Sequence, residues 1–158
     1  MAQNIITPAE VVAIAFGDGE WLSSEAIGTA DIIAATELWI RPIVGQALLD
    51  EVEKGRYAEL KTEYIIPAVA TCTRLLVQPR LNVQTSQLGL SSPAGSHHKA
   101  ADGKARAELQ RTLRLRANAM RERLSEHLEQ HAAEYKEYSS EENILNRCRC
   151  NGGLVQIL

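Results

Sequence analysis

The sequence predicts an all-α fold: a compact multi-helix domain spanning 1–158, in which two long helices flank a polar connection. Three observations lead there. Aromatic residues make up only 4% of the chain, so the core must be built from Ala, Val, Ile and Leu, with Trp21, Trp39 and a few Tyr as larger anchors. That composition suits closely packed helices better than a strand-rich sandwich. Apolar residues also recur at helical spacing in two long stretches, and the polar run Val83 to Gly103 separates them. At 158 residues the chain can bury roughly two-thirds of its unfolded surface as one domain.

The elements follow in order. Thr7-Pro8-Ala9-Glu10 combines a capping side chain, Pro at the first helical position and Glu three residues after Thr, so a helix starts here and runs to about Phe16. Gly17-Asp18-Gly19 is a turn that stops it, with Trp21 and Leu22 folding back as apolar cover. A second helix is predicted over 29–40, with Thr29 or Ser24 as its start and Ile32, Ile33, Ala35, Thr36 and Trp39 toward the core. Arg41-Pro42-Ile43-Val44-Gly45 should break or bend that path, because Pro lacks the helical donor and restricts the residue before it. A short helix resumes over Gln46 to Glu53 and ends near Gly55.

The spacing of Leu60, Tyr64, Val69, Cys72, Leu75 and Leu76 predicts a long core helix from Tyr57 to about Gln78, kinked at Pro67. Cys72 falls inside the apolar pattern and is read as a buried structural thiol, since no acid and base can be paired with it. Gln78-Pro79-Arg80 should end this helix. The connection over 81–103 is longer than an ordinary helix connection and is either a mobile link or an interaction loop. Leu81, Val83, Leu88 and Leu90 favour a short hairpin there, or ordering against another subunit.

Lys104 to roughly Tyr138 is then the longest predicted helix. Leu109, Leu113, Ala117, Met120, Leu124, Leu128, His131 and Tyr135 mark its buried side, and the eleven-residue returns Leu109 to Met120 to His131 fit a nearly straight helix. Arg111, Arg114, Arg121 and Arg123 decorate its surface. Asn151-Gly152-Gly153 is a turn before Leu154-Val155-Gln156-Ile157-Leu158, which reads as a short C-terminal strand with an unpaired edge. Within the tail 151–158, Leu154, Val155 and Ile157 are candidate partner-binding residues. The alternatives are a disordered tail, or a strand that docks on its own domain.

Charge is divided along the chain. Residues 1–64 hold eleven acidic and four basic residues, a balance of −7, whereas Lys99 to Arg123 hold eight basic and three acidic, a balance of +5. These are either solvated faces of one domain or opposite charges that orient neighbouring subunits. Nucleic-acid recognition is the weaker use of the basic run, which is diluted by acids and lacks a stacking pattern of aromatics.

Other chemistries find little purchase. Cys72, Cys148 and Cys150 do not form a disulfide framework, and their odd number without an N-terminal signal segment points to a reducing cytoplasm. Ile65 to Val77 is interrupted by Pro67, Thr71, Cys72, Thr73 and Arg74, short of the roughly 20 apolar residues that span a membrane. His127 and His131 share a helix face, but Cys148-x-Cys150 is not a common zinc spacing and His131 also belongs to the buried pattern, so no metal is assigned. His97-His98-Lys99 is a lone polar patch in the connection. Asp18, Glu20 and Glu25 lack the spacing of a calcium loop. No Gly-rich phosphate cradle, nucleophile elbow or HExxH motif is present, so no catalytic residue and no cofactor is predicted.

Three segments carry a resemblance: Ile6-Thr7-Pro8-Ala9-Glu10-Val11-Val12, Ala35-Thr36-Glu37-Leu38-Trp39-Ile40-Arg41-Pro42-Ile43-Val44-Gly45, and the helix from Tyr64 to Val77. In helix order over residues 5–138 the chain resembles the phage head-tail connector family, the head completion adaptors of phages and prophages. The resemblance implies a noncatalytic structural protein that forms a homo-oligomeric ring beneath the capsid portal. Such a ring binds the portal protein and a tail adaptor or completion protein, and DNA passes through it without sequence recognition. The expected place is the host cytoplasm during virion assembly, then the head-tail junction, with no membrane partner. Carried onto this chain, Trp39, Ile40, Pro42 and Ile43, with the turn at Gly45, are the structural corner, and His97, His98 and Lys99 are candidate portal or channel contacts. Cys148-x-Cys150 departs from the connector pattern. A helical regulatory or nucleic-acid-binding protein is the alternative.

Overall fold

The computed structural model describes residues 5–17, 22–81, 84–86, 89–91, 102–151 and 154–157, with side chains over 5–17, 22–81 and 102–147. Its body is all-α. The first helix, α1 (Pro8–Ala15), starts as the sequence dictates: the Thr7 hydroxyl accepts from Glu10 N at 3.3 Å and the Glu10 carboxylate accepts from Thr7 N at 2.8 Å. Those bonds hold the Glu10 carboxyl below its ordinary range. At the other end, the carbonyl of Ala15 accepts from the buried Arg74 guanidinium at 2.5 Å, a cation at a helix C-terminus.

The path bends within Arg41–Gly45 as expected, but at Gly45 and not at Pro42, through which the second helix, α2 (Thr29–Val44), continues. It widens upstream into a π turn over Thr36–Ile40, closed by Arg41 N on the carbonyl of Thr36, and then runs on through Pro42. The buried residues show why. Ile32, Ala35, Ile40 and Ile43 line the core, and the five-residue step from Ala35 to Ile40 falls in phase only where bonds close from i to i+5. The same change of pitch leaves Ile33 exposed, against expectation. The corner is at Gly45, whose φ of 82° favours a residue without a Cβ. There the axis bends by 114° into α3 (Gln46–Glu53).

The third long stretch, α4 (58–81), repeats the device. Ala58–Leu60 lead into a π turn over Lys61–Ile65, and Ile66–Leu81 continue through Pro67 and Pro79. Leu60 and Ile65 are both buried across the five-residue step. Trp39-Ile40-Arg41-Pro42-Ile43-Val44 and Tyr64-Ile65-Ile66-Pro67-Ala68-Val69 thus share one pattern, aromatic-Ile-x-Pro-x-Val, with a π turn ending at the Ile. The expected end at Pro79 is likewise absent. A helical Pro79 cannot donate to the carbonyl of Leu75, four residues back, and Gln110 Nε2 donates to it at 3.2 Å instead. Pro67 leaves the carbonyl of Glu63 in the same position, and Arg123 Nη1 donates to that oxygen at 2.9 Å.

Both donors belong to α5 (Gly103–Gln130), which starts at Asp102, whose carboxylate accepts from Ala105 N at 2.7 Å. Gln110 meets Leu75 while Arg123 meets Glu63, so α4 and α5 run antiparallel. Helix α4 is the centre of the molecule: α1, α2 and α5 all pack on it, and Ala68 to Arg74 are buried without interruption. Thr71 and Thr73 tolerate that burial by returning their hydroxyls to carbonyls three or four residues back in the helix.

Helix α5 ends at Gln130, eight residues short of the expected Tyr138. The chain turns back instead, because Glu129 collects partners that a straight helix would carry away. It accepts from the Tyr138 hydroxyl, from Ser140 Oγ at 2.7 Å and from Asn146 Nδ2 at 2.6 Å. The fully buried Asn143 closes the knot, donating to Ser125 Oγ and to the Tyr138 oxygen, each at 2.8 Å, and capping the short α6 (Ile144–Arg147).

Two antiparallel hairpins complete the described chain. β1 (Gln84–Ser86) pairs with β2 (Gly89–Ser91), the hairpin reading of the connection. β3 (Cys148–Asn151) pairs with β4 (Leu154–Ile157), so the C-terminal strand docks on its own chain.

A thermodynamic cycle tests the proline repair. Gln110→Ala should cost about 1–2 kcal/mol, a lost hydrogen bond plus a part-buried carbonyl left unpaired. Pro79→Ala restores the helical donor and should recover most of that loss when combined with it. Urea unfolding of the four chains measures the coupling; an equal cost of Gln110→Ala in both backgrounds would mean that the Leu75 carbonyl does not need this bond.

Candidate interaction groove

The concavity that α2, α4 and α5 leave between them is a groove of 370 Å³ lined by Trp39, Leu75, Leu76, Pro79, Gln110, Arg114 and Asn118. Its floor is apolar, and each wall has a local cause. Trp39 reaches it from the π turn of α2, half-buried. Pro79 contributes a ring and no N–H, while Gln110 covers the carbonyl that Pro79 releases, so the floor carries little unmet hydrogen bonding. Arg114 stands exposed at the rim, as do Lys104 and Arg111 on the same helix, and none of the three has a bonded partner among the described residues. The other end of the floor is pinned by Arg80, whose guanidinium grips Asp31 at 2.8 and 3.0 Å and the Ala26 carbonyl at 3.0 Å. The Arg80 pairing holds the Asp31 carboxyl below its ordinary range.

A second cluster lies toward the far end of α5. Arg123 sits over the Tyr64 ring at 4.4 Å, Tyr64 stacks on His127 at 3.8 Å, and His127 stacks on His131 at 4.3 Å. His127 Nε2 shares a 2.9 Å hydrogen bond with the Tyr135 hydroxyl, and Tyr135 meets Tyr57 edge-on at 5.1 Å. Tyr57 holds a left-handed φ of 56°, unusual for a bulky residue, and its hydroxyl donates to Glu137 at 2.8 Å. The cluster therefore clamps the returning chain of 131–138 onto the start of α4. The sequence placed His127 and His131 on one face, and the structure uses them as stacked planes. Among the described residues no group of three or more His, Cys, Asp or Glu converges as metal ligands.

The remaining sequence candidates are scattered. Ile40 and Ile43 are buried, Trp39 lines the groove, Pro42 is half-buried within a continuing helix, and Gly45 makes the corner. His97, His98 and Lys99 lie outside the described residues, as do Gly19 and Trp21. Leu154, Val155 and Ile157 belong to β4, opposite Asn151, Cys150 and Cys148. Cys72 is fully buried, and burial pushes its thiol up to about 12, which makes it an inert core group. No single helix among the described residues is long and apolar enough to cross a membrane. The bent pair around Gly45 is long and apolar enough when its two helices are taken together, but its Ile32, Ile40, Ile43, Val44, Leu48 and Val52 are spent on the core.

Sequence reasoning missed the groove. The signal lay in the spacing: Leu75, Leu76 and Pro79 stand together at the end of one helix, opposite a polar flank of Gln110, Arg114 and Asn118 at steps of four on another.

Residues 40–147 match DUF6712, described as a family of unknown function. The chain belongs to that family. The DUF6712 stretch contains every groove residue except Trp39, both stacked histidines and the Asn143 knot, and it ends with α6. No curated protein and no solved structure matches the chain.

The stacked histidines make stability depend on pH. Desolvation first, and then His131, holds His127 below its ordinary 6.5, with Arg123 adding to the effect and Glu59 and Glu134 opposing it. The unfolded chain therefore binds this proton more readily than the native one. The stability the neutral ring contributes is complete above about pH 6.5 and is lost as the pH falls below that value. Urea midpoints should drop between about pH 7.5 and pH 5.5, and His127→Phe should flatten the drop. An equal drop in both chains would assign the dependence to other groups.

Proposed function

We propose that this chain is a noncatalytic structural adaptor, a phage or prophage head-tail connector whose copies close a ring beneath the capsid portal and join it to tail components. The observation that carries the reading is the composition of the groove: an apolar floor, one guanidinium and two carboxamides, with no nucleophile and no general acid or base. Such a surface recognises another protein surface and performs no bond chemistry. The titratable groups elsewhere support the same reading, since Glu129, His127 and Tyr135 are engaged in bonds that hold the fold. The two ends of the antiparallel α4–α5 pair also differ in charge: Lys104, Arg111 and Arg114, without a bonded partner among the described residues, lie toward the β1–β2 connection, and Glu59 and Glu134 lie toward the other end, where Glu51 and Glu137 are paired with Arg56. In a cyclic assembly the component of that polarity along the ring axis adds from copy to copy, giving rims of opposite charge for different partners.

The row of exposed cations on α5 also favours a second reading, contact with a nucleic-acid backbone by a helical regulatory protein.

Native mass measurement of the purified chain, alone and with the portal protein encoded beside it, separates the two. A closed ring or a collar bound to the portal is the expected result. A persistent monomer that ignores the portal would overturn the connector reading, and a discrete, salt-sensitive DNA complex of that monomer would put the second reading in its place.

A further inference from the structure

Resting on the ring reading above, we propose that the groove is the acceptor half of the contact between copies, and that the donor is the outer face of α5 of the neighbouring copy, centred on Leu115. Among the described residues, Leu115 is the most exposed large apolar side chain, at 62% against 58% for the next, Leu38. It stands in a defined setting. Glu108, Leu115 and Glu122 follow one another at steps of seven, and Thr112 and Ala119 lie beside them on the same exposed face. The result is a leucine knob on a low surface with a carboxylate one heptad to either side, neither of them paired among the described residues.

The acceptor has the opposite features. It is concave where the donor projects, apolar at the floor through Trp39, Leu75, Leu76 and Pro79, and cationic at the rim through Arg114. A cavity of 370 Å³ admits an isobutyl group together with the small side chains around it. Donor and acceptor are different faces of one chain, so the contact is head to tail. It leaves a free donor and a free acceptor at each end of any open chain of copies, and only a closed ring uses all of them. Charge complementarity between Glu108 or Glu122 and Arg114 sets the register, and the leucine in its apolar socket holds the contact.

The test is charge reversal read by native mass spectrometry of the full chain, alone and on the portal protein, with circular dichroism to confirm that each variant keeps its helices. Arg114→Glu, and separately the pair Glu108→Arg with Glu122→Arg, should each weaken assembly by at least about tenfold in the concentration required. All three changes in one chain should restore it. Mixing the two defective chains should restore assembly with the two alternating, because the donor of each then meets the opposite charge on the acceptor of the other. Leu115→Asp should abolish assembly whatever the charges. If the parent chain assembles and Leu115→Asp and Arg114→Glu leave its mass unchanged, this contact is wrong while the ring reading stands. If Leu115→Asp disrupts but the triple reversal does not recover, the groove is not its socket. A parent chain that neither self-associates nor binds the portal removes both proposals together.

Discussion

Three prolines, Pro42, Pro67 and Pro79, stand inside helical rods, and the architecture depends on what becomes of the backbone they disturb. Each removes one donor from the helical ladder and crowds the carbonyl four residues back. Two are preceded by π turns that change the pitch before the proline is reached, so the rod runs on instead of breaking. Two of the released carbonyls, those of Glu63 and Leu75, are taken by Arg123 and Gln110 of α5. These bonds fall twelve residues apart on α4 and thirteen apart on α5, which ties the two helices at two levels and fixes their antiparallel register. Apolar packing alone constrains sliding weakly when a face is built from similar aliphatic side chains; a bond to one particular carbonyl does not permit a slip.

The same device appears at the end of α1 and the start of α2. Arg74 is buried in the central helix and would be costly there without a partner. Its head is spent on the last carbonyls of α1, and its plane lies over the Phe16 ring at 4.4 Å. Arg80 does comparable work at the start of α2, bridging the Ala26 carbonyl and Asp31. Long polar side chains from α4 and α5 therefore answer the backbone groups of the shorter elements. The small aromatic content becomes understandable on this view, since orientation is set by directed bonds and the aliphatic core has only to fill space.

Legibility in the sequence follows from how local each cause is. The Thr7 to Glu10 cap, the turn at Gly45 and the two long helices were readable because their determinants lie within a few residues of the feature. Pro79 reads as an end because its repair is not local: Gln110 is thirty-one positions away, and nothing in the neighbourhood of Pro79 announces it. The end of α5 was misplaced for a related reason. His131 and Tyr135 continue the apolar period, and both do reach the core side of the structure, but a turn brings Tyr135 there to meet His127 and Tyr57. Periodicity reports which residues are wanted inside and is silent on whether a helix delivers them. The groove was illegible because its walls come from three helices, although the repeated aromatic-Ile-x-Pro-x-Val pattern was a sign that α2 and α4 are handled alike.

On the proposed contact, the proline at the groove would link stability to assembly. A protein surface is cheap to cover only if it holds few groups that water was satisfying. An uninterrupted helix presents such a surface through its own ladder, but offers only a convex face. Pro79 gives a floor with no N–H, and Gln110 takes the one carbonyl that would otherwise need water, so the concavity can be dried at low cost. Arg114 stays at the rim, where a paired charge keeps part of its hydration and contributes register and encounter rate more than net affinity. A single contact of this size is weak. In the proposed ring every copy would be held on two sides, so that losing one subunit would require breaking two contacts at once, which is how modest pairwise interactions would make a lasting junction.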